Sequence, residues 1–180
     1  KNNSEAADKL KAKGLNLQRM QEIDEQYGPL DWRVAETHAL YWAYLGRSVA
    51  GADGASTACE RMIYQSMAAL FDHGQLTYSA EGDLFVSSPN FDLLPNEQKT
   101  FEHAMALAKN ELPAQGYAAF LASASLTLKF YGREIEARAY FDTLHRRFPS
   151  RATRQGFAAF SQGEAATMPR FFTAQEGVSE

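Results

Sequence analysis

One predicted helix limits what this chain can fold into more than any other stretch, and residues 30–49 contain it. The run from Arg33 to Val49 has no proline, and apolar side chains occupy most of its positions. A helix that is apolar around most of its circumference is buried on several sides, so this one should pack between neighbours. Gly46 lies on the same helical face as Trp42 and Val49. Because glycine costs a helix about 1 kcal/mol relative to alanine, we expect Gly46 to mark a close contact with a second helix.

The spacing within this helix resembles the tetratricopeptide repeat, a helical pair with the pattern W-x2-L-G-x2-Y, then A-x3-F, then a closing proline. Trp42, Leu45 and Gly46 match the first part of the pattern, and Ala58 matches the alanine. The positions that depart from the pattern are Val49, Met62 and Leu70.

Residues 118–151 resemble the same repeat a second time. Ala137 and Phe141 have the A-x3-F spacing, and Pro149 occupies the closing proline position. The earlier positions keep the order of large, small, small and large residues, at Leu121, Ala124, Ser125 and Leu128. Small residues let paired helices touch, and a large residue fills the gap between pairs. The two matches cover about 68 residues, two periods of about 34.

These patterns predict an all-α fold in which antiparallel helix hairpins stack as a tetratricopeptide-like superhelix. Residues 75–95 break the helical pattern and predict a short β-hairpin or loop insertion. A first helix is predicted from Ser4 to Tyr27, interrupted by Gly14. We therefore expect a single domain over residues 1–180, with N-terminal helices in 4–73, the insertion in 74–95, C-terminal helices in 96–163 and a tail in 164–180.

Composition argues against several classes of function. A net charge of −4 removes the usual electrostatic basis for nucleic-acid binding. No apolar run approaches the ~20 residues of a membrane-spanning helix. Cys59 is the only cysteine, which excludes an internal disulfide and a cysteine-based zinc site. The sequence has no metal-ligand spacing and no catalytic motif, so we expect no enzyme activity, metal or cofactor. We expect either a soluble protein of the cytoplasm or a soluble domain of a larger exported or anchored protein.

The resemblance implies a non-catalytic scaffold that binds a protein or peptide partner. In tetratricopeptide proteins, peptides lie in the concave groove lined by the first helix of each pair. Carried onto this chain, the groove-facing candidates are Leu40, Ala43, Arg47, Ala119, Ala122, Leu126 and Lys129. Arg47 and Lys129 would hold a carboxylate through charge-assisted hydrogen bonds.

Two other interpretations stay open. The first is a small-ligand-binding or enzymatic domain with a pocket under the insertion, lined by Trp32, Arg33, Glu36, His38 and Tyr78. The second is a structural module that forms a homodimer through its aromatic faces. The Asp31-Trp32-Arg33 run fits either an exposed recognition cluster or a structural role at the entry of the helix. We favour the structural role, with Asp31 near the positive end of the helix dipole.

Overall fold

The computed structural model describes residues 8–50, 54–108 and 111–165. Its helices are α1 (Leu17–Tyr27), α2 (Ala35–Val49), α3 (Gly54–His73), α4 (Leu94–Leu107), α5 (Leu112–Phe130), α6 (Glu134–Arg147) and α7 (Phe157–Ala165). Residues 8–12 are also helical, and Phe91–Leu93 and Thr153–Gln155 form single 3-10 turns. The predicted helix start at Ser4 and residues 166–180 of the predicted tail lie outside the described residues, and residues 164 and 165 of that tail belong to α7.

The predicted insertion is a two-stranded antiparallel sheet of β1 (Gln75–Ser79) and β2 (Leu84–Ser88). The main-chain nitrogen of Asn90 donates to the Phe71 carbonyl oxygen at 2.9 Å, and its side chain donates to the Pro29 carbonyl oxygen at 3.0 Å. Asn90 therefore attaches the end of the hairpin to the helices. The prediction of a helical fold with a short hairpin insertion is confirmed.

The N-terminal helical region is divided into two pieces at Gly14, where the sequence predicted an interruption. Gly14 adopts φ +77°, a left-handed conformation that glycine accepts without steric cost and that ends the first piece. Two residues later Asn16 caps the start of α1, and its side-chain oxygen accepts a hydrogen bond from the Arg19 main-chain nitrogen at 3.1 Å. Such a cap satisfies one of the free N–H groups at a helix start.

Helices α2 and α3 form an antiparallel pair, as two ion pairs at opposite ends show. Glu36 lies 3.4 Å from His73 at one end, and Arg47 lies 3.2 Å from Glu60 at the other. A Cβ built on Gly46 would come within 2.8 Å of the Cys59 sulfur. The prediction that Gly46 marks a close helix contact therefore agrees with the position of α3.

The burial predicted around most of α2 is observed only in part. Trp42 is 50% exposed and Val49 is 84% exposed, whereas Leu40, Tyr41 and Ala43 are buried. The Trp42 ring instead packs near Gly14, where an added Cβ would meet it at 3.1 Å. Because α2 is apolar on nearly all sides, its composition does not tell which side the neighbouring elements cover.

The chain divides into two compact units after Tyr117, within α5. The first unit has a core contributed by α1, α2, α3 and the segment before α4, with the buried side chains of Ile23, Tyr27, Leu40, Tyr41, Ile63, Met67, Leu70 and Leu93. The single domain predicted over residues 1–180 stays a prediction. No described helix combines the length and apolar character that crossing a membrane requires.

The second unit has its own aromatic core. The Phe141 ring on α6 lies 5.3 Å from Phe157 and 5.1 Å from Phe160, both on α7. Ser125 on α5 is fully buried, and its hydroxyl donates to the Ala122 carbonyl oxygen at 2.9 Å. The small and large positions of the second repeat-like match are thus buried in this unit.

Candidate binding cleft

A polar cleft of about 390 Å³ lies between four helices of the first unit. Helix α1 contributes its last two residues, α2 contributes Arg47, and α3 contributes Glu60 and Ile63 one turn apart. Helix α4 contributes side chains at i, i+3, i+4 and i+7, which lie on one face of a helix. The residues lining the cleft are Gln26, Tyr27, Arg47, Glu60, Ile63, Asn96, Lys99, Thr100 and His103.

Two buried polar atoms on residues that line the cleft make no hydrogen bond of ordinary length, although the Tyr27 hydroxyl interacts with Arg47. They are the Tyr27 hydroxyl oxygen and the Oε2 oxygen of Glu60, a residue that is only 6% exposed. Burial raises the pKa of the Tyr27 hydroxyl, and the nearby charge of Arg47 opposes that rise without cancelling it. Tyr27 therefore stays protonated and can donate. Leaving such groups unpaired costs about 1–3 kcal/mol each, so their position beside a cleft is a functional signal.

Arg47 connects the two unpaired groups. Its Nη1 atom donates to Glu60 Oε1 at 3.2 Å, and its guanidinium lies 5.4 Å from the centre of the Tyr44 ring. Burial by itself lowers the pKa of Arg47, but the neighbouring Tyr27 and Glu60 outweigh that effect and raise it above its ordinary value. Arg47 is thus a fixed positive charge that still has unused N–H donors.

The outer edge of the cleft carries exposed polar and basic groups. Lys99 is exposed, and its ammonium donates to the Asn96 side-chain oxygen at 3.2 Å. His103 is also exposed, and its Nε2 lies 3.7 Å from Glu60 Oε1. Gln26 completes this edge from α1. The cleft therefore has a buried carboxylate inside and basic side chains around its opening.

The seven groove candidates from the sequence fall in both units. Leu40 and Ala43 are buried in the first unit, and Arg47 lines the polar cleft. In the second unit, Ala119 is exposed, Ala122 is half-buried and Leu126 is buried.

The remaining groove candidate, Lys129, is half-buried and engaged within the second unit. Its ammonium donates to the Ser161 hydroxyl and lies 5.2 Å from the centre of the Phe157 ring. Arg47 is thus the groove candidate that lines the described cleft.

The five residues of the alternative pocket each bond to a neighbouring group. The Trp32 indole nitrogen donates to Asp24 at 3.0 Å, and the Trp32 carbonyl oxygen lies 2.8 Å from His38 Nε2. Glu36 forms its ion pair with His73 on α3. The Tyr78 hydroxyl donates to Asp83 at 2.6 Å within the hairpin. These contacts hold the entry of α2 and the hairpin turn in place.

Asp31 and Arg33 attach the hairpin to the start of α2. Arg33 donates to the Leu76 carbonyl oxygen at 2.8 Å, and its guanidinium lies 5.4 Å from the centre of the Phe85 ring. Asp31 accepts from the Leu76 nitrogen at 3.3 Å. The hydrogen bond from Arg33 is the main reason that the pKa of Asp31 is lowered to about 2. This geometry agrees with the structural role predicted for the Asp31-Trp32-Arg33 run.

Most of the cleft residues were missed by the sequence analysis. Of the nine residues that line the cleft, the sequence predicted a binding role for Arg47. One signal was present in α4, where Asn96, Lys99, Thr100 and His103 form a polar stripe at helical spacing. No group of three His, Cys, Asp or Glu side chains that could hold a metal occurs within residues 8–50, 54–108 and 111–165.

The fold and the cleft together define a helical protein with a cleft that is lined by polar side chains. Comparisons with protein-family models, curated proteins and solved structures return no match. The tetratricopeptide resemblance therefore stays a prediction.

Proposed function

We propose that this protein is a non-catalytic binding module that recognises a protein or peptide partner through the polar cleft. One polar group of the partner enters the cleft, and the surrounding helices contact the residues beside it. The observation that carries the proposal is the pair of unpaired buried atoms, Glu60 Oε2 and the Tyr27 hydroxyl, beside the Arg47 guanidinium. A partner that supplies the missing hydrogen bonds offsets the cost of keeping them buried.

The size and position of the cleft support recognition of a single group. Ligand pockets range over ~300–1,000 Å³, and a cleft of about 390 Å³ is near the lower end. Arg47, which the repeat register predicts to face a peptide groove, is also part of this cleft. A peptide bound across α2 and α4 would therefore place one residue, rather than a long segment, in the cleft.

A peptide selection tests this proposal. The full chain is immobilised and used to select from a displayed library of random 12-residue peptides with free amino termini. The affinity of each enriched peptide is then measured by isothermal titration calorimetry. We expect Arg47→Glu to weaken binding at least tenfold, because it places a second carboxylate beside Glu60. Lys99→Glu, at the exposed edge, should weaken binding severalfold without affecting the fold.

The matched control is Arg61→Glu, which reverses an exposed charge on α3 next to Glu60 in sequence but outside the cleft lining. This variant should bind like the unmodified protein, and circular dichroism should show the same helix content for all three variants. Enriched peptides that bind all three variants equally would contradict the proposal, as would the absence of any enrichment.

A further inference from the structure

The cleft has its charges in two layers. The inner layer contains the buried Glu60 carboxylate and the buried Tyr27 hydroxyl. The outer layer contains Lys99 and His103, both exposed, and Arg47 is intermediate in burial. A ligand complementary to this arrangement has hydrogen-bond donors on the atom that meets the inner layer. It has a hydrogen-bond acceptor on the neighbouring atoms, which meet Arg47 and the outer layer.

We propose that the cleft binds an α-ammonium group together with the carbonyl or carboxylate oxygen next to it. This chemistry occurs at the amino terminus of a peptide and in a free α-amino acid. The ammonium donates to Glu60, and the adjacent oxygen accepts from Arg47 or Lys99. The inference rests on the proposed function, because it requires that the cleft is the recognition site.

The Glu60 carboxylate can meet the ammonium. The terminal torsion of a glutamate side chain is soft, so a partial rotation of the carboxylate can turn its buried oxygen toward the cleft at little cost. One oxygen keeps its bond to Arg47, while the other, which has no hydrogen-bond partner, accepts from the ligand. An ammonium has three donors, so it can also donate to the Tyr27 hydroxyl oxygen.

Other charged groups match the two layers less well. A carboxylate without an ammonium beside it would be attracted by Lys99 but repelled by Glu60 at the inner surface. A lysine side chain carries an ammonium but has four methylene groups behind it, which offer no acceptor to Arg47 or Lys99. An α-ammonium has its acceptor one carbon away, so both layers are satisfied by one small group.

The test uses four small probes with the full chain. The first pair is glycyl-leucinamide, which has an ammonium and a carbonyl, and N-acetyl-glycyl-leucinamide, which lacks the ammonium. The second pair is free leucine and N-acetyl-leucine, which keeps the carboxylate but lacks the ammonium. Binding is followed by two-dimensional amide NMR, and the dissociation constants come from the shifts of residues 99–103. We expect both probes with a free ammonium to bind at least tenfold more tightly than their acetylated counterparts.

Two comparisons distinguish the sources. Tighter binding of glycyl-leucinamide than of free leucine indicates a peptide terminus, and the reverse order indicates a free amino acid. Lys99→Ala should weaken free leucine more than glycyl-leucinamide, because only leucine has a carboxylate. Glu60→Gln should remove the preference for a free ammonium, and Arg61→Ala should leave all four dissociation constants unchanged.

Equal binding of free and acetylated probes would overturn the inference. If Glu60→Gln unfolds the chain, the acetylation comparison and Lys99→Ala still decide the question, because neither alters the buried inner layer. Library peptides that need Arg47 but tolerate acetylation would leave the proposed function intact and reject this inference alone. If substitutions in the cleft change the binding of no probe and no peptide, both the proposed function and this inference are rejected.

Discussion

Glu97 is a carboxyl group that is completely removed from water. It lies on α4 with no exposed surface, and neither carboxylate oxygen has a hydrogen-bond partner. Burial, and to a smaller extent the negative charge of Asp72, raises the pKa of Glu97 well above its ordinary value. The side chain is therefore protonated at a pH where most glutamates are charged, because a lone buried charge is costly.

This raised pKa predicts a particular dependence of stability on pH. The folded state holds the proton of Glu97 more tightly than the unfolded state does. The contribution of Glu97 to the free energy of unfolding is therefore greatest below the ordinary glutamate pKa. Between the ordinary and the raised pKa, the free energy of unfolding should fall with increasing pH by about 1.4 kcal/mol per pH unit from this group. Glu97→Gln should remove that contribution, as measured by urea denaturation from pH 4 to pH 9.

The control for this experiment is Glu81→Gln, which neutralises an exposed carboxylate in the hairpin turn. It should leave the pH dependence of stability unchanged. If Glu97→Gln has the same pH profile as the unmodified protein, Glu97 is charged in the folded state and our assignment is incorrect.

At the scale of elements, the α2–α3 pair depends on the absence of a side chain at Gly46. A Cβ there would lie 2.8 Å from the Cys59 sulfur, so Gly46→Ala should destabilise the protein by about 1 kcal/mol despite the better helix propensity of alanine. In a Cys59→Ala background the obstruction is absent, and the same substitution should instead stabilise by up to about 1 kcal/mol. Urea denaturation of the four proteins in this double-mutant cycle measures both effects.

The sign change between the two backgrounds is the decisive result. Equal effects of Gly46→Ala in both would mean that α2 and α3 are not in close contact at this position. The calculation requires that each variant unfolds with the same dependence on urea, since a changed slope would alter the meaning of the free energies.

The β-hairpin is a second element whose position depends on a few named contacts. An isolated two-stranded hairpin is marginally stable in water, so its attachment to the helices matters. Arg33→Ala removes the bond to the Leu76 carbonyl and the contact with the Phe85 ring. We expect amide hydrogen exchange in β1 and β2 to become severalfold faster, while exchange in α2 and α3 changes little.

Arg19→Ala is the matched control for the hairpin experiment. It also removes an exposed arginine that pairs with a nearby acid, in this case Glu22 on α1, but it leaves the hairpin contacts intact. Unchanged exchange in the strands of Arg33→Ala would show that the hairpin is held by other contacts.

At the scale of the whole molecule, the two compact units predict that core damage stays local. Phe141→Ala should cost about 3–5 kcal/mol, because the ring fills the space between Phe157 and Phe160. We expect the loss of amide protection to concentrate in residues 118–165. Leu40→Ala, at a fully buried position of the first unit, should produce the reverse pattern in residues 8–117. Hydrogen exchange followed by NMR measures both, and a uniform loss of protection in either variant would contradict the division.

Local sequence was sufficient to predict the helices and the hairpin. Glycine and proline mark their ends, and apolar spacing marks their type, since these properties act within a few residues. The break in the helical pattern predicted at residues 75–95 contains both strands, and α3 ends just before it at His73. The same local information also identified Gly46 as a contact, because a glycine inside a helix has few other reasons to be there.

Only the tertiary structure decided which side of each helix is covered and which residues meet in the cleft. Sequence pattern could not exclude burial of Trp42, because α2 is apolar on nearly every side and its neighbours lie elsewhere in the chain. The cleft combines Tyr27, Arg47, Glu60 and His103 from four helices separated by long stretches of sequence. In the sequence, Glu60 is an ordinary charged residue. The packing of α1, α2 and α4 around α3 buries its carboxylate and leaves one of its oxygens unpaired.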